Sequence, residues 1–256
     1  MSNRNWVALK TIWVKECTRF LRIWVQTLVP PAITMTLYFV IFGNLIGSRI
    51  GEMGGFSYME FIVPGLIMMS VITNSYSNVC SSFYSAKFQR NIEELLVAPV
   101  PNWIIIIGFV GGGVARALII GVIVTVVSMF FVDIEIFSLG IIITTLLLTS
   151  ILFSTAGLIN AIFAKSFDDI SIIPTFVLTP LTYLGGVFYS ISLLPEVWQW
   201  ISKINPIVYM VSGFRYGFLG VADVSYLTSM ALLVGFNVVL LSIAYSLINR
   251  GVGIRS

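Results

Sequence analysis

Long runs without a charged residue dominate the pattern of hydrophobic and polar positions along the chain. These runs cover 23–48, 61–86, 95–115, 117–132, 136–164, 170–195 and 224–249. A transmembrane helix needs about 20 apolar residues, and the runs lack the period-two alternation of a membrane β-strand. We join the two runs beside Arg116 into one helix, because Pro99 and Pro101 open the first and the second is short. The pattern therefore predicts six spans, over 26–46, 60–84, 103–131, 138–164, 170–190 and 226–249.

The composition supports the same class, an all-α polytopic membrane protein. Of the 256 residues, 58% are hydrophobic and 10% are charged, and the mean hydropathy is +1.00. A soluble domain carries charge on about a quarter of its residues. Because so few charges cannot cover a surface exposed to water, we expect lipid to cover most of a single domain that comprises residues 1–256.

Several kinds of chemistry are disfavoured by the residues that the chain contains. It has no histidine, which excludes Ser-His and Cys-His nucleophilic sites and the commonest zinc ligand. The glycine-rich stretch GGGVAR at 111–116 lacks the Lys-Ser/Thr of a phosphate-binding loop, and its glycines favour close helix packing. The net charge of +3 is too scattered for nucleic-acid binding. We expect no catalytic residues, no metal site and no cofactor in this chain.

The distribution of lysine and arginine predicts the orientation, because these residues concentrate in cytosolic loops. Six spans place both termini on one side. That side holds Arg4, Lys10, Lys15, Arg19, Arg22, Lys87, Arg90, Lys165, Arg250 and Arg255, whereas the other holds Arg49, Lys203 and Arg215. We therefore expect both termini in the cytosol.

Residues 4–24 have the spacing of an amphipathic helix that lies on the inner membrane surface. Trp6, Trp13 and Phe20 share one face, and most of the cations of this segment lie opposite. Tryptophan at the edge of an apolar face, with cations opposite, suits an anionic leaflet. The alternative is that the segment is only the start of the first span, and the charges on one face disfavour it.

The spacing of residues 87–98 predicts a second and shorter amphipathic helix between spans two and three. Its sequence is KFQRNIEELLVA, and Pro99 follows it. Its apolar face contains Phe88, Ile92, Leu95 and Leu96, and its polar face contains Lys87, Arg90, Asn91 and Glu94. Arg90 and Glu94 have the spacing of a weak ion pair, and Pro99 ends the helix. Glu93 and Glu94 are adjacent, so they project about 100° apart and do not form a catalytic pair.

Residues 191–225 are too long for a turn and too apolar for a soluble loop. Aromatic residues such as Trp198 and Trp200 suit a membrane interface. We expect two short helices that enter the outer leaflet, with a break near Asn205-Pro206, at the outer end of a translocation path.

Polar residues inside the spans are candidates for a pathway. Asn74 and Asn78 lie on a polar stripe of span two that either lines a conduit or bonds to another helix. Arg116 is the one charge that we expect inside a span. It either faces the bundle interior or extends toward the inner headgroups, and both alternatives remain open at this point.

Four stretches, in this order, resemble the ABC type-2 exporter permeases over essentially the whole chain. They are FIVPGL at 61–66, NIEELLVAPV at 91–100, PLTYLGGVFY at 180–189 and NPIVYMVSGFRYGF at 205–218. Each stretch alone is only weakly specific for the family, so the resemblance depends on their order over the six predicted spans.

The resemblance implies a bacterial inner-membrane protein in which two copies form the pathway. A separate cytosolic ATPase dimer would bind ATP and Mg²⁺, and the permease would export sugars, lipids or drugs. The helix over 87–98 would be the coupling helix that contacts the ATPase, through Phe88, Arg90, Glu93, Glu94, Leu95 and Leu96. The helix over 4–24 would be an interface helix beside it.

Three other functions compete with that expectation. A transporter driven by an ion gradient would normally place acids or histidines within its spans, and none lies in the central part of a predicted span. An intramembrane enzyme is disfavoured because the chain has no histidine and no acids that converge on one site. A membrane scaffold that does not transport stays open.

Overall fold

Helices form nearly all of the secondary structure in the computed structural model, which describes residues 3–134 and 136–253. The α-helices are α1 Asn3–Arg22, α2 Trp24–Thr27, α3 Val29–Tyr38, α4 Gly47–Ile50, α5 Tyr58–Phe88, α6 Asn91–Val97, α7 Asn102–Ser128, α8 Leu139–Phe163, α9 Asp169–Ile173, α10 Thr179–Tyr183, α11 Glu196–Ile204, α12 Pro206–Leu219 and α13 Tyr226–Arg250. Phe39–Ile46 and Pro174–Leu178 are π-helical, and Ile191–Leu193 is a 3₁₀ turn.

Five helical segments in the described residues are long and apolar enough to cross a membrane. They are Trp24–Gly43, α5, α7, α8 and α13. Their ends lie within a few residues of five predicted spans, because the charged residues that interrupt the apolar runs lie at or near the helix ends. The chain is therefore a mostly helical membrane protein, as the composition predicts.

The predicted span over 170–190 contains Pro174, Pro180 and Gly185-Gly186, which favour an interrupted helix, and the structure shows such interruptions. This segment contains α9, a π-helical turn and α10, and it leaves the helical conformation after Tyr183. Proline has no N–H to donate, so Pro174 and Pro180 disturb the regular ladder, and the Thr179 N–H bonds to the Pro174 carbonyl five residues back. Gly186, with φ of 72°, then turns the chain.

This broken segment still extends along α5. At its start, the Tyr84 hydroxyl donates to the Lys165 carbonyl at 2.9 Å. At its far end, a Cβ placed on Gly65 would lie 2.6 Å from the Val187 carbonyl oxygen, so only glycine allows this approach. We name the two ends of the helical bundle after residues of α5: the Phe61 end and the Lys87 end.

A small hairpin connects the first span to α5, so the chain is not entirely α-helical. Strands β1 (Glu52–Met53) and β2 (Phe56–Ser57) pair antiparallel. Gly54 and Gly55 have φ of 62° and 86°, as the two-residue turn of a tight hairpin requires. Ser57 and Glu60 then form a capping box that begins α5.

The helix α5 is the centre of the bundle, and most of its 31 residues are buried. It packs against α7, α8 and α12. A Cβ on Gly157 of α8 would lie 2.4 Å from the Tyr76 carbonyl oxygen, so the missing side chain lets these helices touch through their backbones. Gly113 of α7 similarly contacts Val79 and Ser154.

The segment between the broken span and α13 contains the two predicted short helices. They are α11 and α12, and the break falls at Asn205, whose side-chain oxygen accepts from the Ile207 N–H at 3.0 Å. Backbone bonds from Phe137 and Ser138 to the carbonyls of Phe218 and Gly217 tie the end of α12 to the start of α8. These helices therefore lie at the Phe61 end.

Candidate functional site

The predicted helix over 87–98 is two elements rather than one. Lys87 and Phe88 belong to α5, and the turn after them places Arg90 in the left-handed region with φ of 61°. That conformation interrupts the helical ladder, so α6 begins only at Asn91. Ala98 is extended before Pro99 and ends α6, which agrees with the restriction that proline puts on the preceding residue.

The side chains of this region divide into buried and exposed groups. Ile92 is 1% exposed, and Leu95 and Leu96 pack against the core as partly buried residues. Glu93 and Glu94 are exposed. Phe88 and Val97 are 65% and 87% exposed. The exposed surface of α6 therefore carries two carboxylates and Val97, with the exposed Phe88 at the end of α5.

The expected pair between Arg90 and Glu94 does not form. Ion pairs in the described part of the chain join Glu16 to Arg19 and Arg215 to Asp223. Because Arg90 precedes α6 in a left-handed turn, it does not lie one helical turn before Glu94 on a shared face. Both side chains are exposed and available to another molecule.

The helix α6 lies beside α1 and α7. A crevice between them is lined by Thr11, Ile12, Lys15, Asn91, Glu94, Leu95 and Phe109. The Lys15 ammonium lies 5.9 Å from the centroid of the Phe109 ring. The two amphipathic segments predicted from the sequence are therefore neighbours at the Lys87 end.

The apolar face predicted for α1 is divided by its packing against α7. Trp6 and Trp13 are 59% and 49% exposed, as expected of residues that face lipid. Phe20 is fully buried, so its predicted place on a lipid-facing surface is wrong. The buried face instead contains Ile12 and Glu16, and the Glu16 side chain lies over Gly112, where a Cβ would be 2.5 Å away.

A buried polar network joins α1 to α5. The Ser82 hydroxyl donates to the Glu16 carboxylate at 2.6 Å, and the Arg19 Nε lies 3.5 Å from the same oxygen. Arg19 also donates to the side-chain oxygen of Asn78 at 2.8 Å and to the Asn78 carbonyl at 3.0 Å. Glu16 is missed by the sequence pattern because a carboxylate is not expected on a buried helix face.

Arg116 forms the second part of this network. Its guanidinium donates to the Asn74 side-chain oxygen at 2.9 Å and to the Thr27 carbonyl at 3.1 Å. It therefore faces α5 and the start of the first span within the same chain. The three residues predicted to lie on a pathway, Asn74, Asn78 and Arg116, all hold helices to one another in this arrangement.

A second buried arginine lies at the Phe61 end, and the expectation that Arg116 is the single buried charge is wrong. Arg215 of α12 is 1% exposed. It donates to Asp223 at 3.0 Å, to the Gly186 carbonyl at 2.6 Å and to the Phe61 carbonyl at 3.3 Å. Its guanidinium carbon lies 3.8 Å from the centroid of the Phe61 ring. We name Arg215 and these partners the Arg215 cluster.

The Arg215 cluster has a weak signal in the sequence. Asp223 follows Arg215 by eight residues, and Gly220 lies between them with φ of 70°. Such a turn lets the chain fold back and bring the carboxylate to the guanidinium. Counting Arg215 as a loop cation for orientation therefore overlooks that the folded chain buries it.

No cluster of three or more Cys, Asp or Glu side chains that could hold a metal ion occurs in the described residues. The concentrated polar chemistry consists of the network at the Lys87 end and the Arg215 cluster. Both join helices of one chain, and neither presents a nucleophile and a base to an open pocket. This arrangement is that of a membrane domain whose helices are held together by polar contacts.

Comparison with known proteins gives the class to which this domain belongs. Residues 7–219 match the family described as ABC-2 type transporter. The chain belongs to this family and is a membrane permease rather than an ATPase. The resemblance that the sequence stretches carry is therefore confirmed.

Among individual relatives, the chain is 68% identical to the "Inner membrane transport permease YadH" of Escherichia coli (strain K12), over all 256 residues and the full length of that protein. The relative of the same name in Shigella flexneri matches equally. The chain is 24% identical to "Nodulation protein J" of Rhizobium meliloti (strain 1021) over 217 residues, which are 84% of this chain and 82% of that protein.

Proposed function

We propose that the chain is the membrane subunit of an ATP-driven exporter in the bacterial inner membrane. Two copies form the pathway, and a separate cytosolic ATPase dimer binds ATP and Mg²⁺ and drives their rearrangement. Substrate moves from the cytosol or the inner leaflet outward. Membership of the ABC-2 type transporter family supports transport, and the name of the relative that is 68% identical supports the inner membrane.

The observation that carries the proposal is the surface of α6. This short helix is anchored by the buried Ile92 and presents Glu93, Glu94 and Val97 outward. An ATPase that binds this surface acts on an element fixed directly to the end of α5. We propose that the exposed Phe88 and Arg90 belong to the same contact, with Leu95 and Leu96 supporting it from below.

The proposed orientation places the Lys87 end in the cytosol. Lysine and arginine concentrate at this end, and the side chains of Asn102 and Asn249 meet at 3.1 Å, which brings the end of α13 there too. The end of α13 then lies on the same side as α1. The segment from Asp169 to Val187, which extends along α5, would be the sixth crossing, and α11 and α12 would lie in the outer leaflet.

A transporter driven by an ion gradient is less well supported. The buried acid of the Lys87 end, Glu16, is held by Ser82 and Arg19. The partly buried acid of the Phe61 end, Asp223, is held by Arg215. Both acids are therefore engaged in contacts within the chain and do not face an open path.

The test is the double variant Glu93→Lys with Glu94→Lys. The permease is purified from solubilised membranes, and the ATPase retained with it is measured by photolabelling with 8-azido-ATP. We expect the retained ATPase to fall at least tenfold, because charge repulsion replaces attraction at the contact. Insertion of the permease should stay unchanged.

The matched control makes the same change of charge at the other end. Glu52→Lys with Glu196→Lys alters two exposed acids at the Phe61 end, and we expect it to retain the ATPase. Equal retention by both double variants would contradict the assignment of α6. An ATPase that never accompanies the wild-type protein would contradict the exporter itself.

A further inference from the structure

An open groove runs between α1 and α7 on the side of α1 away from α6. Its lining is almost entirely apolar and consists of Trp6, Leu9, Lys10, Trp13, Val14, Ile107, Gly111, Val114, Ala115 and Leu118. The polar network that binds α1 to α5 does not reach this surface. The groove therefore has no role in the contacts described so far.

The floor of the groove exists because α7 has small residues there. Gly111 and Ala115 are four residues apart and lie on one face of the helix. A Cβ on Gly111 would lie 3.3 Å from Cδ1 and Nε1 of Trp13, so the indole of Trp13 rests on the glycine. The result is a shallow channel with an aromatic wall and an aliphatic floor.

The rim of the groove carries one charge. Lys10 is the only charged residue in its lining, it is exposed, and in the described part of the chain it forms no ion pair. Trp6 and Trp13 lie one helical turn on either side of Lys10, and both are about half exposed. Their indole N–H groups are hydrogen-bond donors. The rim thus offers the Lys10 cation and the neighbouring Trp6, whose indole N–H can donate, and no acid lines the groove.

We propose that this groove binds an anionic phospholipid of the surrounding bilayer, with an acyl chain beside the Trp13 indole on the aliphatic floor at Ala115 and Leu118 and the phosphate at Lys10. The floor matches a hydrocarbon chain because it has no polar group to leave unpaired. The rim matches an anionic headgroup, because a basic residue at a membrane surface attracts such lipids. The inference goes beyond the proposed export function but rests on the proposed position of α1 at the inner surface.

A second copy of the chain fits this groove less well. A symmetric contact places the same patch of both copies face to face, which would bring two Lys10 side chains together without an acid in the lining. A lipid instead supplies the missing negative charge. It would also fix α1 against α7 from the side opposite the Glu16 contact.

The test uses the complete chain reconstituted with equal amounts of phosphatidylglycerol and phosphatidylcholine, followed by native mass spectrometry of the lipid retained. We expect the wild-type protein to retain phosphatidylglycerol in preference. Lys10→Gln should lower its retention about fivefold, and Lys10→Glu should lower it further. Ala115→Trp, which fills the floor, should lower retention of both lipids.

Lys165→Glu is the matched control, because it makes the same charge reversal at another exposed residue of the Lys87 end. Retention should stay at the wild-type level. An equal loss in Lys165→Glu, or equal retention of the two lipids by the wild-type protein, would overturn the proposal. Oxidative cross-linking of two chains through Ala115→Cys, with Cys17 and Cys80 replaced by serine, would overturn it in favour of a second copy.

A second measurement does not depend on filling the groove. Phosphatidylglycerol with brominated acyl chains should quench tryptophan fluorescence of the wild-type protein more than brominated phosphatidylcholine does. The difference should disappear in Trp6→Phe with Trp13→Phe, and a difference that persists would contradict the site. Neither measurement needs the ATPase, so a failure of the export proposal and a failure of the lipid site are distinguishable.

Discussion

The Arg215 cluster contacts α5 at its Phe61 end, whereas the polar network of Glu16, Arg19 and Arg116 contacts α5 from its middle at Asn74 toward the Lys87 end at Ser82, and the two are satisfied to different degrees. In the Arg215 cluster one guanidinium meets one carboxylate and two carbonyls, and each of its nitrogens has a partner. In the polar network, Arg19 pairs with the acid Glu16, whereas Arg116 bonds only to the uncharged Asn74 side chain and Thr27 carbonyl. There Nε of each arginine and one Glu16 oxygen are buried without a hydrogen bond.

This difference indicates which end rearranges more easily. A buried network with every group paired is rigid, whereas a partly satisfied one loses less when it changes. At the Phe61 end, the Arg215 cluster therefore holds α5, the Gly186 turn and α12 rigidly together. The Lys87 end, where we propose that the ATPase binds, has contacts that can be exchanged at lower cost.

The largest expected effect comes from Arg215→Met. It removes the Arg215 donors from Asp223, which keeps its bond from the Ser190 hydroxyl, and from the carbonyls of Gly186 and Phe61. Breaking a buried ion pair from one side costs about 3–5 kcal/mol. We expect a loss of stability of this size in unfolding of the purified protein in micelles. Adding Asp223→Leu should restore part of the loss, since it removes the carboxylate that has lost its cation. If Arg215→Met alone were as stable as the wild-type protein, the Arg215 cluster would not hold the Phe61 end rigidly.

A smaller effect is expected from Glu16→Gln at the Lys87 end. The loss should be about 1–2 kcal/mol, because the Arg19 side chain is 31% exposed and keeps its bonds to Asn78. A loss as large as that of Arg215→Met would remove the contrast between the two ends.

The neighbouring thiol reports on the same change through its pH dependence. Burial raises the pKa of the Cys17 thiol, and the charge of Glu16 raises that pKa further. Neutralising Glu16 should therefore lower the pKa, so that alkylation by iodoacetamide reaches its half-maximal rate at lower pH than in the wild-type protein. Cys17→Ser gives the background rate. An unchanged midpoint would mean that the Glu16 charge does not act on the Cys17 thiol.

The smallest effect is expected from Arg90→Gly at the α5–α6 turn. Arg90 is the one non-glycine residue with positive φ in the described chain, and glycine adopts that conformation without a steric penalty. We expect a gain of at most about 1 kcal/mol, offset in part by the greater freedom of the unfolded glycine. The control Gln89→Gly, at a residue with φ of −82°, should destabilise. A loss in both variants would show that the Arg90 side chain, rather than its backbone, holds the turn.

The sequence predicts the spans well where charge and helix ends coincide. Glu60 and Lys87 bound the second apolar run and lie within the first and last turns of α5. It fails where the backbone departs from the α-helix without a change in hydropathy. The π-helical turns at Phe39–Ile46 and Pro174–Leu178 are as apolar as their surroundings, so a count of apolar residues does not reveal them.

The candidate site is predictable in its residues but not in its contacts. The spacing of Ile92, Leu95 and Leu96 identifies the side of α6 that packs inward. The burial of Glu16 and Arg215 depends on partners 66 residues away at Ser82 and 29 residues away at Gly186. Such distant partners leave no periodic signal, because they are brought together only by tertiary packing.

Lys87 gives the α5–α6 turn an influence beyond its own two helices. Its ammonium donates to the carbonyls of Ile162 and Ala164 at 2.7 Å and 2.8 Å, where α8 ends. A cation there satisfies carbonyls that have no partner within the helix. If the ATPase displaces α6 as proposed, these bonds and the bond from the Tyr84 hydroxyl to the Lys165 carbonyl would pass the displacement to α8 and to the start of the broken segment. A force applied to α6 would then move α5, α8 and the broken segment together.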